Sequence, residues 1–130
     1  MFDARKYFDE NWYNYDKWYE FHKNEYNEEI EFLKSILPSG KGIEIGIGTG
    51  RFSLPLKIEY GLDYSLNMLK IAKSRGIEVI LGDAYRMPFK NDSFDFSLFM
   101  VTLCFLERPV DALVEAKRIS RKVVSVILDK

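Results

Sequence analysis

Gly42-Ile43-Glu44-Ile45-Gly46-Ile47-Gly48-Thr49-Gly50-Arg51-Phe52 is the stretch whose reading decides the fold. It begins as an apolar run and ends in three glycines at alternate positions, before a short helical segment from Arg51 to Leu56. A buried strand that turns through glycines into a helix places the loop at the carboxyl end of a sheet, where open α/β sheets bind ligands. Glycine there permits positive φ and lets a ligand approach the backbone. The helix start behind the loop offers unpaired N–H groups and a partial positive charge. The spacing is G-x-G-x-G. The dinucleotide fingerprint needs its third glycine one place later, where Arg51 stands, and no G-K-[ST] follows as a nucleoside triphosphatase would require.

The flanking sequence repeats the same rhythm. Apolar runs at Gly42–Ile47, Ile58–Leu62, Glu78–Leu81, Phe94–Val101 and Val123–Leu128 lack alternation, as strands covered on both faces do. Between them lie helical segments at Ser65–Arg75 and Pro109–Ser120, with Ser65 a cap and Pro109 a first-turn residue. Ala84–Ser93 reads as an irregular loop. The expected fold is α/β: a Rossmann-like, doubly wound, mostly parallel sheet of about five strands. An N-terminal helical segment precedes it. Phe8, Trp12, Tyr15 and Tyr19 recur at helical spacing, and a second helix is expected from Asn24 to Leu37 with Tyr26, Ile30, Leu33 and Leu37 on one face. Pro38-Ser39-Gly40 ends it.

Two acids sit where further strands end. Asp63 closes the second strand, placed to accept from both hydroxyls of a ribose or to cap the next helix. Asp83 follows the third strand beside Ala84, placed to read an adenine edge or to form a turn.

Composition narrows the function classes. The chain has 130 residues, one domain's worth, with 19 basic and 20 acidic side chains. That near balance argues against a nucleic-acid or membrane-surface binder. The single cysteine, Cys104, allows no internal disulfide, and a reducing, cytoplasmic setting is expected. No metal-ligand spacing surrounds it. The N-terminus lacks the apolar core of a signal peptide, and no run is long enough to span a membrane.

Taken in order, these motifs resemble the class I S-adenosylmethionine-dependent methyltransferases, in particular the small-molecule branch related to ubiquinone and menaquinone biosynthesis. The resemblance rests on Gly42–Phe52, Gly61-Leu62-Asp63-Tyr64-Ser65, Gly82-Asp83-Ala84-Tyr85-Arg86-Met87-Pro88-Phe89 and Asp92-Ser93-Phe94-Asp95. It covers about Lys41 to Lys130, leaving residues 1–38 as an aromatic-rich N-terminal segment of the same single domain. It implies S-adenosylmethionine as cofactor, S-adenosylhomocysteine as product and a small-molecule acceptor. By position, Gly46, Gly48 and Gly50 would admit the methionine part, Glu44 would orient the loop or meet the ammonium group through water, and Asp63 would hold the ribose. Tyr64 would pack on the adenine, Asp83 and Ala84 would read its edge, and Phe99 and Met100 would line the methyl. No catalytic residue is identified, because the sulfonium already activates the methyl and positioning supplies much of the rest.

Residues 1–32 carry eleven of the twenty aromatic rings. They pack helices against the sheet, with Tyr7, Tyr15 and Trp18 as lid candidates. His22, the one histidine, is a base candidate or an ordinary surface or core residue. The family fold normally continues with a helix and an antiparallel hairpin beyond the fifth strand. That strand is therefore expected to be an open edge unless a second copy or a partner chain covers it. A truncated chain, a completing partner and a minimal cofactor-binding module without catalysis all fit that ending. A nicotinamide oxidoreductase is disfavoured by the glycine spacing.

Overall fold

The computed structural model describes residues 4–100 and 102–127, with the side chains of residues 4, 5, 7, 8, 15 and 104 outside the description. Two helices lead: α1 (Ala4–Phe21), kinked at Asn11, and α2 (Lys23–Ile36). Five strands follow: β1 (Gly42–Ile45), β2 (Tyr60–Asp63), β3 (Glu78–Leu81), β4 (Phe94–Met100) and β5 (Ser120–Val126). Helices α3 (Ser53–Leu56), α4 (Leu66–Ser74) and α5 (Pro109–Ile119) connect them, with a 3-10 turn at Thr102–Phe105 after β4. The sheet order is β3-β2-β1-β4-β5 and every pairing is parallel.

This is the expected Rossmann-like class, and its chemistry is visible locally. All four β1 residues are buried, as a central strand's must be when helices cover both faces. A side chain at Gly42 would strike the Phe96 ring on the neighbouring strand, so only glycine lets β1 and β4 pair there. On one face Ile43, Ile45, Leu62 and Phe99 pack against Ala112, Ala116 and Ile119 of α5. On the other, Phe96, Leu98 and Met100 meet Ile30 and Leu33 of α2, with Tyr26 and Leu37 partly buried beside them. The apolar face expected of the second helix is therefore the one it buries. Leu37 is extended before Pro38, a residue that disfavours helix in its predecessor.

Two strand starts differ from expectation. The second strand begins at Tyr60, because Ile58 turns away to pack under α3 among Phe52 and Leu98. The fifth begins at Ser120, directly after α5. Ser120 Oγ donates to the Ala116 carbonyl at 2.6 Å and meets Ser97 Oγ of β4 at 2.9 Å. One hydroxyl thus closes the helix and registers the strand, and no loop is needed. Its expected end at Leu128 lies outside the described residues. The turn at Thr102–Phe105 had no clear sequence signal.

Candidate functional site

The β1–α3 loop leaves the central strand where the strand order reverses, so a crevice opens between the loop and the end of β4. Gly46 has φ +74° and Gly48 φ +60°, the left-handed region where a Cβ is costly. At Gly46 a Cβ would also lie 2.5 Å from Thr102 Cγ2. The loop is tied to β2: the Gly46 and Ile47 N–H groups donate to the Leu62 carbonyl at 2.7 and 3.0 Å. Asp63 finishes the tie. Its Oδ2 accepts from the Gly48 N–H at 2.8 Å, and its Oδ1 from the Ser65 N–H at 2.9 Å. Burial raises the Asp63 carboxyl above the ordinary range, and these backbone donors oppose the rise. Ser65 Oγ accepts from the Met68 N–H and caps α4, so capping does not need the Asp63 side chain.

Beneath the loop, Glu44 is fully buried and accepts from Ser53 Oγ at 2.6 Å. Burial pushes its carboxyl up to about 8, with a smaller contribution from nearby Asp63. Outside the loop, Asp16 of α1 gathers three donors. It accepts from Thr49 Oγ1 at 2.5 Å, from Arg51 Nε and Nη2 at 2.8 and 3.0 Å, and from Arg75 Nη1 and Nη2 at 3.2 and 3.0 Å. Burial alone would raise the Asp16 carboxyl, but the hydrogen bonds from Arg51, Arg75 and Thr49 outweigh it and hold it well below the usual range. Arg75 also donates to the Thr49 carbonyl at 2.7 Å, and the Tyr26 hydroxyl donates to the Arg51 carbonyl. The first two helices are thereby fastened to the glycine loop.

A cavity of about 260 Å³ lies between these parts. Of the residues singled out in the sequence, Gly46, Gly48, Asp63, Tyr64, Met100 and Trp18 line it. The others lie elsewhere. Glu44 is under the loop. Gly50 faces Ile77, whose Cδ1 would be 2.5 Å from a Cβ there. Phe99 points to the opposite face of β4 from Met100 and is buried against α5. Ala84 is buried in that same core, while Asp83 is exposed and accepts from the Tyr85 N–H at 2.8 Å, the turn geometry. His22 stacks on Trp18 at 4.0 Å and precedes α2, without lining the cavity. The side chains of the lid candidates Tyr7 and Tyr15, and of Cys104, lie outside the description.

Sequence reasoning missed Thr102, Phe52, Met68 and Glu29 as lining residues, and Asp16 as a fastener. The partners of Asp16 are 33 to 59 residues distant, so no local spacing marks it. Among the described residues no cluster of His, Cys, Asp or Glu could hold a metal ion, and no helix is long and apolar enough to cross a membrane.

The cavity fits S-adenosylmethionine on its own terms. Its floor is side-chain-free backbone at Gly46 and Gly48, and its walls are mostly apolar and aromatic. Both Asp63 oxygens accept from backbone N–H groups, and a carboxylate oxygen can take a further donor such as a hydroxyl. Among the described residues no basic side chain lines the cavity to repel a sulfonium.

Residues 43–128 match the model of a methyltransferase domain. An uncharacterized protein of Methanocaldococcus jannaschii is 44% identical over 119 residues, which are 89% of this chain and 58% of that one. The demethylmenaquinone methyltransferase of Renibacterium salmoninarum is 34% identical over 91 residues, 65% of this chain and 38% of that enzyme. A crystal structure from Thermotoga maritima, of a SAM-dependent methyltransferase described as a candidate histamine N-methyltransferase, superposes with a TM-score of 0.88 at 42% identity. It covers 91% of this chain and 57% of its own. The chain thus spans a little over half the length of the first and third of these relatives. With its strand order, glycine loop and Asp63 arranged as described, the chain belongs to the methyltransferase-domain family, whose fold implies S-adenosylmethionine as cofactor.

Proposed function

We propose that this chain binds S-adenosylmethionine between the glycine loop and Asp63 and directs its methyl to a small-molecule acceptor. The observation that carries the reading is the meeting of Gly46, Gly48, Asp63, Tyr64 and Met100 in one cavity at the carboxyl ends of β1, β2 and β4. The cofactor supplies a methyl already activated by its sulfonium, so the protein's work is binding, orientation and exclusion of water. Asp63 accepts from the ribose hydroxyls. Tyr64, next to it, packs on the adenine. Gly46 and Gly48 leave room for the methionine part, while Gly50 and Glu44 support the loop from behind. Met100, with Phe99 packed behind it, bounds the methyl, and Trp18 covers it.

Residues 1–38 act as the cover and 41–130 as the cofactor core of one domain. The protein works in the cytoplasm, in keeping with its lone cysteine. A second copy or a partner chain pairs with the β5 edge, which is bonded only to β4 among the described strands.

Calorimetry with S-adenosylhomocysteine tests the cofactor. Binding is expected, and Asp63→Ala should weaken it about tenfold or more, the worth of a charge-assisted hydrogen bond. Heat with NADH and none with either adenosyl compound would overturn the reading. Release of labelled methyl to a cell extract then separates enzyme from module. Tight binding with no turnover would make the chain a cofactor-binding module without catalysis.

A further inference from the structure

Arg75 caps the C-terminus of α4, and an arginine at a helix end is ordinarily accounted for by the helix dipole. This one reaches further. Its Nη1 donates to the Thr49 carbonyl at 2.7 Å, and Nη1 and Nη2 together clasp the Asp16 carboxylate at 3.2 and 3.0 Å. Thr49 stands between Gly48 and Gly50, both at positive φ, so the peptide that Arg75 holds lies within the glycine loop itself. The Thr49 hydroxyl donates to the same Asp16 at 2.5 Å, and one residue back the Gly48 N–H donates to Asp63 at 2.8 Å. One guanidinium thus touches both the loop and the helix that covers it.

The seam is complementary in charge. α1 supplies the acids Asp16 and Glu20, one turn apart, and the core supplies the bases Arg51 and Arg75. The Asp16 and Arg75 side chains are 14% and 25% exposed, so their pairing is screened less than a surface pair. None of the described α1 side chains is fully buried, so polar contacts carry much of its attachment, yet α1 brings Trp18 and Tyr19 to the cavity. A glycine loop has little of its own to fix its shape, because glycine adopts positive φ about as readily as negative. What orients its peptides comes from outside. We infer that Arg75 is a positioning residue of the cofactor site: by holding the Thr49–Gly50 peptide and Asp16 with one guanidinium, it makes the shape of the loop and the seating of α1 a single linked event. A ligand that favours the shaped loop then also favours seated α1, and the linkage is reciprocal. Lysine is a poor replacement, since it offers a point charge in place of a planar fork. The inference rests on the S-adenosylmethionine reading for the identity of the ligand, while the link between loop and helix stands on the geometry alone.

The test follows amide hydrogen exchange by NMR on the 130-residue chain, with S-adenosylhomocysteine binding measured by calorimetry. In the wild type, S-adenosylhomocysteine is expected to slow exchange along α1 as well as in the loop. Arg75→Ala should weaken the ligand about tenfold, as loss of hydrogen bonds to a charged group predicts. Without ligand it should speed exchange both at Gly48–Gly50 and along α1 while β4 stays protected. Arg75→Lys, which keeps the charge at the helix end, should fold as the wild type does and bind severalfold more weakly. Ethylguanidinium added to Arg75→Ala should restore part of the affinity and ethylammonium should not, whereas a role in α4 stability alone would respond to neither. Acceleration of the loop or α1 alone, acceleration that includes β4, or wild-type affinity in Arg75→Lys overturns the inference. If Arg75→Ala does not fold, the wild type and Arg75→Lys decide, and α1 exchange that ignores S-adenosylhomocysteine overturns it. Failure of the wild type to bind either adenosyl compound, with loop and α1 still accelerating together in the variant, would sink the cofactor reading and not the link.

Discussion

Glu44 is buried at 1% exposure, accepts from the Ser53 hydroxyl, and has Asp63 as a neighbour of like charge. Its carboxyl is pushed from 4.5 to about 8, so the folded protein holds a proton that the unfolded chain releases. The stability this proton confers is complete below the unfolded value and is lost as pH rises through the folded one. Unfolding free energy should therefore fall between roughly pH 5 and 8, by up to about 1.4 kcal/mol per unit. Glu44→Gln, which keeps the shape without the charge, should flatten that slope in urea titrations at several pH values; an unchanged slope would count against it. Gly46 makes a separate demand. With φ +74° and Thr102 within 2.5 Å of any Cβ, Gly46→Ala should cost about 1–3 kcal/mol of stability, read as a lower urea midpoint. The glycine run announced this in the sequence, but the presence of Thr102 did not, since that contact joins two segments 56 positions apart.

At the scale of elements, α1 is held on the sheet's open end by acids. Asp16 takes Thr49, Arg51 and Arg75, while Asp9 takes Ser65 Oγ at 2.8 Å and the Asn67 amide group at 3.0 Å through its own carbonyl. The Asp16 pairs are only partly exposed, so they are screened less than surface ion pairs. Asp16→Asn should lower stability by about 2–3 kcal/mol, the range for hydrogen bonds to charged groups, and weaken S-adenosylhomocysteine severalfold by loosening Thr49 and Arg51. Because the Asp16 carboxyl is lowered in the fold, its contribution is present above the unfolded value of 3.8 and lost as pH falls below it. The cost of Asp16→Asn should accordingly shrink in acid; a variant equally destabilised at pH 3 and pH 7 would argue for packing instead. The aromatic rings of α1 and α2 do pack, as Tyr19, Tyr26 and Phe52 show with centroids 5.4 to 5.6 Å apart. Trp18 lines the cavity, and so do Tyr19 and Phe52 from within the packed set, so nothing in the spacing of the rings separates the two uses.

For the whole molecule, the five parallel strands of the described residues leave two edges, β3 and β5. The 130-residue chain should self-associate through the longer β5, giving a concentration-dependent sedimentation coefficient; a clean monomer at high concentration would oppose this. Arg121 and Lys122 stand exposed on β5 and temper the tendency, as charges on edge strands do. The sequence by itself determined the class of fold, the strand-loop-helix at Gly42–Phe52 and the acid ending β2, because these depend on hydrophobic runs, glycine geometry and short-range spacing. It also determined the apolar face of α2, a matter of helical period. Only the tertiary structure decided which candidates share a cavity. Phe99 and Met100 are neighbours in the chain yet point to opposite faces of β4, and Gly50 turns its free space to Ile77. The Asp16 fastener was settled there too. It owes its surroundings to segments far away in the chain, and burial and electrostatics exist only once those segments are packed.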